Sequence, residues 1–157
     1  MANDNWGTPE WITDPVHTFG PIGLDPASGT EHNARIRARQ FFDERDDGLA
    51  QSWARYGVCF VNPPFSKPNL DRWTEKMARE GQALQPPDHL FALLPSDTST
   101  LWWHRHVVTA DAICFLGRRV RHVGATIGSP KFGSIVAYWG WERTRFARQW
   151  AKLGWVV

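Results

Sequence analysis

Six short apolar runs, each bounded by turn-forming residues, constrain the fold of this chain more than any other feature: residues 22–24, 40–42, 58–61, 90–94, 112–116 and 134–139. All are too short for helices and none alternates strictly between apolar and polar residues, so they are read as buried strands, several of them parallel. Helical signals lie between them. Pro68 suits a first helical turn, and Leu70, Trp73, Met77 and Leu84 follow near one face. Ser96 or Thr98 is placed to cap a second helix carrying Leu101, Trp102, Arg105 and Val108. Residues 142–152, with Phe146 and Trp150 four apart, make a third. This alternation predicts an α/β fold, a mostly parallel central sheet with helices on both faces. In such sheets ligands sit outside the carboxyl ends of the strands, so the residues following each strand carry the information about function.

A length of 157 residues with 42% hydrophobic content fits one domain, residues 1–157, and leaves little room for a second. No apolar run approaches the roughly 20 residues of a membrane-spanning helix, and the start Met1-Ala2-Asn3-Asp4-Asn5 lacks the regions of a secretory signal. The expectation is a cytoplasmic protein with no membrane partner. Cys59 and Cys114 each sit inside an apolar stretch and are read as free core thiols, and His104, His106 and His122 have no metal-ligand spacing, so they are read as surface or phosphate contacts and no metal is expected.

Charge is distributed unevenly. Residues 1–100 carry nine Lys/Arg against fourteen Asp/Glu, whereas residues 101–157 carry nine against two. A basic second part attracts polyanions, because each neutralised phosphate releases condensed counterions, although a solvated cationic face has the same composition. Six of the ten tryptophans, Trp102, Trp103, Trp139, Trp141, Trp150 and Trp155, fall in this part, where they serve either as core or as stacking surfaces for bases.

The run ending at Val61 is followed by Asn62-Pro63-Pro64-Phe65. Two consecutive prolines lack N–H donors and fix φ, so this tetrapeptide leaves the sheet as a rigid corner. A planar amino group has two hydrogens to donate, and Asn62 Oδ1 with the Pro63 carbonyl can accept both, while Phe65 offers a face for a ring to stack on.

The tetrapeptide resembles the (Asp/Asn/Ser)-Pro-Pro-aromatic catalytic motif of amino-group methyltransferases that use S-adenosylmethionine. Leu24-Asp25-Pro26-Ala27, Asn33-Ala34, Phe41-Phe42, Asp47-Gly48-Leu49 and Trp53 precede it. Leu93-Leu94-Pro95 with Trp102, Phe115-Leu116-Gly117-Arg118-Arg119 and Pro130-Lys131-Phe132-Gly133-Ser134 follow it. This order is similar to that of phage-type DNA N-6-adenine methyltransferases, the Dam-like family, and the resemblance covers residues 6–139. It implies a Rossmann-like methyltransferase fold and an adenine-specific DNA methyltransferase. It further implies S-adenosylmethionine as cofactor and DNA as partner, in a phage or prophage protein of a bacterial host acting as monomer or homodimer.

The resemblance also implies roles. Trp6-Gly7-Thr8-Pro9 resembles a segment closing over the methionine end of the cofactor, with Thr8 on its carboxylate; a helix-capping Thr8 is the alternative. Asp25 would bind the cofactor's ammonium, with Ala27 and Ser28 in the adjoining turn, although the stretch 25–30 holds one glycine where many methyltransferases have more. Asp47 before Gly48 would accept from the cofactor's adenine amine, with Asp46 as a rival, while Asp43 would reach the ribose; an acidic loop without a ligand is the alternative. Asn62, Pro63, Pro64 and Phe65 would be catalytic, with Asn62 also touching the cofactor. Lys67, Arg118, Arg119, Arg121, Lys131 and Phe132 would face nucleic acid. Solvated exposure of each cation and a core position for Phe132 are the alternatives. Related corners methylate RNA amines or a protein glutamine amide, cytosine methylation more often goes with Ser at the first position, and a nucleic-acid-binding relic without cofactor is the non-enzymatic alternative. Target specificity is expected in short loops such as residues 118–131.

Overall fold

In the computed structural model, which describes residues 7–83, 85–124 and 131–157, all six apolar runs are strands of one sheet. The elements, in chain order, are α1 (Glu10–His17), β1 (Ile22–Asp25), α2 (Thr30–Ile36), β2 (Gln40–Phe41), β3 (Val58–Val61), α3 (Asn69–Gly81), β4 (His89–Pro95), α4 (Leu101–Arg105), β5 (Ala112–Leu116), β6 (Ser134–Gly140), α5 (Arg143–Trp150) and β7 (Gly154–Val156). The sheet order is β2-β1-β3-β4-β6-β5-β7. β1 pairs in parallel with β2 and β3, and β3 with β4. β6 is antiparallel to β4 and β5, and β7 is antiparallel to β5. β1 to β5 therefore run one way, and the far half of the sheet is mixed. The chain moves outward from β1 to β2 and returns to β3 on the other side of β1, so the strand order reverses between β1 and β3. That reversal is the crevice at which doubly wound, Rossmann-like sheets bind ligands.

Both faces of the sheet are covered, which explains the unbroken apolar runs. Along β3, Val58 and Phe60 join a core with Ile12 and Val16 of α1, Ile36 of α2, and Phe146 and Trp150 of α5. Cys59 and Val61 face the opposite core, with Leu70, Trp73 and Met77 of α3 and Trp102 and Trp103 of α4. Alternate side chains of one strand thus serve two layers. Both thiols are buried, and burial pushes that of Cys114 up to about 11.

The helices depart from the sequence reading in instructive ways. α3 and α5 form where expected, with Pro68 and Glu142 at their N-caps, but both are shorter than expected: α3 ends at Gly81, before Leu84, and α5 at Trp150. α4 begins after Thr100 and not after Ser96 or Thr98, and Val108 falls in the 3-10 turn Val107–Thr109 that follows it. Ser96 instead donates its backbone N–H to the Gly133 carbonyl at 3.0 Å, joining the end of β4 to the start of β6. α1 buries Ile12, Pro15 and Val16 on one face, but Pro15 inside it argues against a helix, and α2 buries only Ile36 and so shows no apolar stripe. α2 is closed by Asn33, whose side-chain amide donates to the Ala38 carbonyl at 3.1 Å and accepts from its N–H at 3.0 Å. Among the tryptophans singled out in the basic part, Trp102, Trp103, Trp139 and Trp150 are core, whereas Trp141 and Trp155 are exposed. No helix among the described residues is long and apolar enough to cross a membrane.

Candidate active site

The carboxyl ends of β1, β3, β4 and β5 share one rim of the sheet. Asp25 ends β1, the Asn62 corner follows β3, and Arg118 and Arg119 follow β5. Pro63 is buried, and Asn62, Pro64 and Phe65 are half-buried. The corner is rigid because neither proline turns freely or donates a hydrogen bond. Asn62 Nδ2 donates to Thr8 Oγ1 at 3.1 Å, which turns the amide nitrogen toward Thr8 and Oδ1 away from it. Thr8 is 3% exposed and does not cap α1, whose N-cap is Pro9 without a side-chain cap bond. Its segment is pinned by reciprocal backbone bonds of 2.9 and 2.8 Å between Gly7 and Val123.

Asp25 is the most unusual group on this rim. It is 3% exposed and accepts from the Ala27 N–H at 3.2 Å. Desolvation lifts its carboxyl to about 7, against the pull of the Ala27 and Ser28 hydrogen bonds. Among the described residues no cation pairs with it. A buried carboxylate without a counter-charge is costly, and a ligand ammonium would remove that cost.

The acidic loop lies against the same turn. The Ser28 N–H donates to the Phe42 carbonyl at 3.1 Å and the Phe42 N–H to the Asp25 carbonyl at 3.0 Å. Gly48 approaches so closely that a Cβ there would lie 1.9 Å from the Pro26 carbonyl oxygen. Gly48→Ala is expected to cost about 2 kcal/mol or more through overpacking, read as a lower denaturation midpoint. The three aspartates differ in use. Asp43 Oδ1 accepts the Arg45 and Asp46 N–H groups at 2.8 and 3.3 Å, and Asp46 Oδ2 accepts that of Asp43 at 3.0 Å. Asp47 enters none of these bonds and holds φ at 51°, a left-handed conformation its short polar side chain tolerates.

The basic residues frame the rim. The Arg118 guanidinium lies 3.9 Å from the centre of the Trp11 ring, and Trp11, Arg118, Arg119 and Arg121 line a hollow of about 420 Å³. Lys67 and Lys131 are exposed. Phe132 is 36% exposed and sets its ring edge-to-face with Phe65 at 6.0 Å, so it is not a core residue. Trp6, Leu84 and residues 125–130 of the 118–131 segment lie outside the described residues.

Two residues near this rim escaped the sequence reading. Trp11 sits in the polar-looking first turn of α1, and its aromatic type next to a distant arginine cluster is the only signal. His122 was expected as a surface or phosphate contact, yet it is 5% exposed and meets Phe65 edge-to-face at 5.7 Å. Burial lowers its pKa from 6.5 to about 4. A His whose folded pKa is depressed contributes stability present above 6.5 and lost as pH falls toward 4, worth on the order of 2–3 kcal/mol. Asp25, raised by burial, works in the opposite sense over the same range. The separable outcome is therefore differential: the stability of the unaltered protein relative to His122→Gln should fall by that amount between pH 7 and pH 4 in urea titrations.

The family profile described as DNA N-6-adenine-methyltransferase (Dam) matches residues 1–135. A DNA N-6-adenine-methyltransferase of Escherichia phage T1 is 28% identical over 105 residues, which cover 65% of this chain and 40% of the phage protein. The match thus spans less than half the length of that relative. Among solved structures, a dimethyladenosine transferase from Plasmodium falciparum is 9% identical with a TM-score of 0.42, the alignment covering 90% of this chain and 64% of that one.

Proposed function

This chain belongs to the DNA N-6-adenine-methyltransferase (Dam) family, and from that membership we propose that it transfers a methyl group from S-adenosylmethionine to the exocyclic N6 of adenine in DNA. Residues 1–157 act as one methyltransferase domain in this reading, as monomer or homodimer, in the cytoplasm of a cell hosting a phage or prophage. The observation that carries the proposal is the juxtaposition on one rim of the Asn62 corner, bonded to Thr8, with a buried and uncompensated Asp25.

The residues fit the cofactor by their chemistry. Asp25 would hold its ammonium, Thr8 with Pro9 its carboxylate, and Asp47 its adenine amine, while Ala27, Ser28 and Gly48 let backbone approach closely. Thr8 accepts from Asn62 and retains its own hydrogen for donation. Bound there, S-adenosylmethionine supplies an electrophilic methyl carbon on a sulfonium sulfur.

The target adenine must leave the duplex, since its amine is otherwise paired, and extrusion costs a few kcal/mol. Phe65 and Phe132 offer stacking surface that offsets this cost. Asn62 Oδ1 and the Pro63 carbonyl accept the two amine hydrogens, so electron density shifts onto nitrogen and its lone pair is held in one direction. The prolines keep these acceptors in place before substrate arrives, which is electrostatic preorganisation. The proton released from N6 passes to water, and no protein nucleophile takes part. Arg118, Arg119, Arg121, Lys67 and Lys131 would contact the phosphate backbone.

The test is incubation of unmethylated duplex DNA, RNA and protein extract with methyl-labelled S-adenosylmethionine. Label in DNA alone supports the proposal. Label in RNA or protein alone, or absence of cofactor binding in titration calorimetry, contradicts it.

A further inference from the structure

We propose that Trp53, clamped by the Lys76–Glu80 pair of α3, is a positioning residue that sets the Asp47–Gly48 segment against the Asp25 turn; this rests on the proposed assignment of both segments to the cofactor. Trp53 is fully buried. Its indole Nε1–H donates to the Gly48 carbonyl at 2.9 Å, and its backbone N–H donates to Glu80 Oε2 at 3.2 Å. The other oxygen of Glu80 pairs with Lys76 Nζ at 2.6 Å, and that ammonium lies 5.5 Å from the centre of the Trp53 ring. Trp73 of α3 stacks on the same indole, the ring centres 6.1 Å apart.

Stability alone is a poor reason for this arrangement. Lys76 and Glu80 are 6% and 8% exposed, and a buried ion pair returns little more than its desolvation costs, so well-packed apolar residues would serve a core as well. What the pair adds is direction. Lys76 holds one carboxylate oxygen, leaving the other aimed at the Trp53 backbone, while the indole N–H fixes the Gly48 carbonyl. Gly48 in turn abuts the Pro26 carbonyl, one residue beyond Asp25. A path of polar contacts, closed by the tight backbone packing of Gly48 on Pro26, thus runs from the C-terminal turns of α3 to the crevice between β1 and β3, and Asp47 is carried at its end.

The test uses Trp53→Phe, which keeps an aromatic ring in the core and removes the indole N–H. Titration calorimetry with S-adenosylmethionine should give a Kd about tenfold weaker than that of the unaltered protein, and Asp47→Asn a similar loss. Combined, the two should weaken binding by about tenfold, not a hundredfold, because a loosened segment no longer presents Asp47; Trp53→Phe with Asp25→Asn should instead multiply. If Trp53→Phe multiplies equally with both, Trp53 only packs and the inference is overturned. Should Trp53→Phe fail to fold, hydrogen exchange on the unaltered protein decides: saturation with S-adenosylmethionine should slow exchange of the Trp53 indole N–H at least about tenfold, and an unchanged rate overturns the inference. Absence of S-adenosylmethionine binding to the unaltered protein would be a failure of the proposed function, and this inference would fall with it.

Discussion

Asn62→Ala is expected to cut methyl transfer by about a thousandfold, the scale seen when one preorganised group facing developing charge is removed, while the Kd for S-adenosylmethionine stays within about threefold because Asp25, the proposed charge contact, is untouched. Single-turnover transfer to an unmethylated duplex and calorimetry on the same preparation separate the two effects. The corner has two acceptors, and alanine leaves only the Pro63 carbonyl. Asn62→Asp keeps an acceptor at that position but loses the Nδ2 donation to Thr8. A loss of about tenfold is expected from one hydrogen bond, smaller than for alanine. Equal loss in both variants would show that the Thr8 bond, not amine recognition, is what transfer requires.

The second large effect concerns Asp25. Removing its charge by Asp25→Asn should weaken S-adenosylmethionine binding by about a hundredfold, since a buried ammonium would lose its only counter-charge. The sign of the pH dependence follows from the buried state of the ligand-free protein. Desolvation holds the Asp25 carboxyl at about 7, so at pH 6 most molecules must release a proton before an ammonium can pair with it. Affinity should therefore rise about tenfold per pH unit up to pH 7, and fall again above about pH 8, where the free ligand's α-amine loses its own proton. Calorimetry in buffers of different ionisation enthalpy should detect proton release of nearly one at pH 6 and little net exchange at about pH 7.5. Asp25→Asn should flatten the profile. A profile already flat in the unaltered protein would remove Asp25 from cofactor binding.

Which parts of this arrangement were legible in the chain itself depends on how local their causes are. The strands were readable because a sheet covered on both faces needs continuous apolar runs, and the Asn62 corner because proline acts on its own backbone. α1 and α2 were not, since Pro15 breaks the pattern of one and the other buries only Ile36. β7 is only three residues at the sheet edge, with Trp155 exposed, too short to stand out from the helix before it. The site contacts were least legible where they join distant segments. Thr8 and Asn62 lie 54 residues apart, and neither a cap nor a ligand role for Thr8 could be preferred before the tertiary bond was known. Likewise, Asp43, Asp46 and Asp47 compete for ligand roles until Asp43 and Asp46 are found bonding each other's backbone. The basic second part pointed to a polyanion, but composition does not reveal that Trp11 lies under Arg118.

The most direct measurement is nucleoside mass spectrometry of unmethylated duplex DNA after incubation with the protein and S-adenosylmethionine. N6-methyldeoxyadenosine is the expected product, absent when Asn62→Ala replaces the unaltered protein. N4-methyldeoxycytidine, or no methylated nucleoside at all, would contradict it.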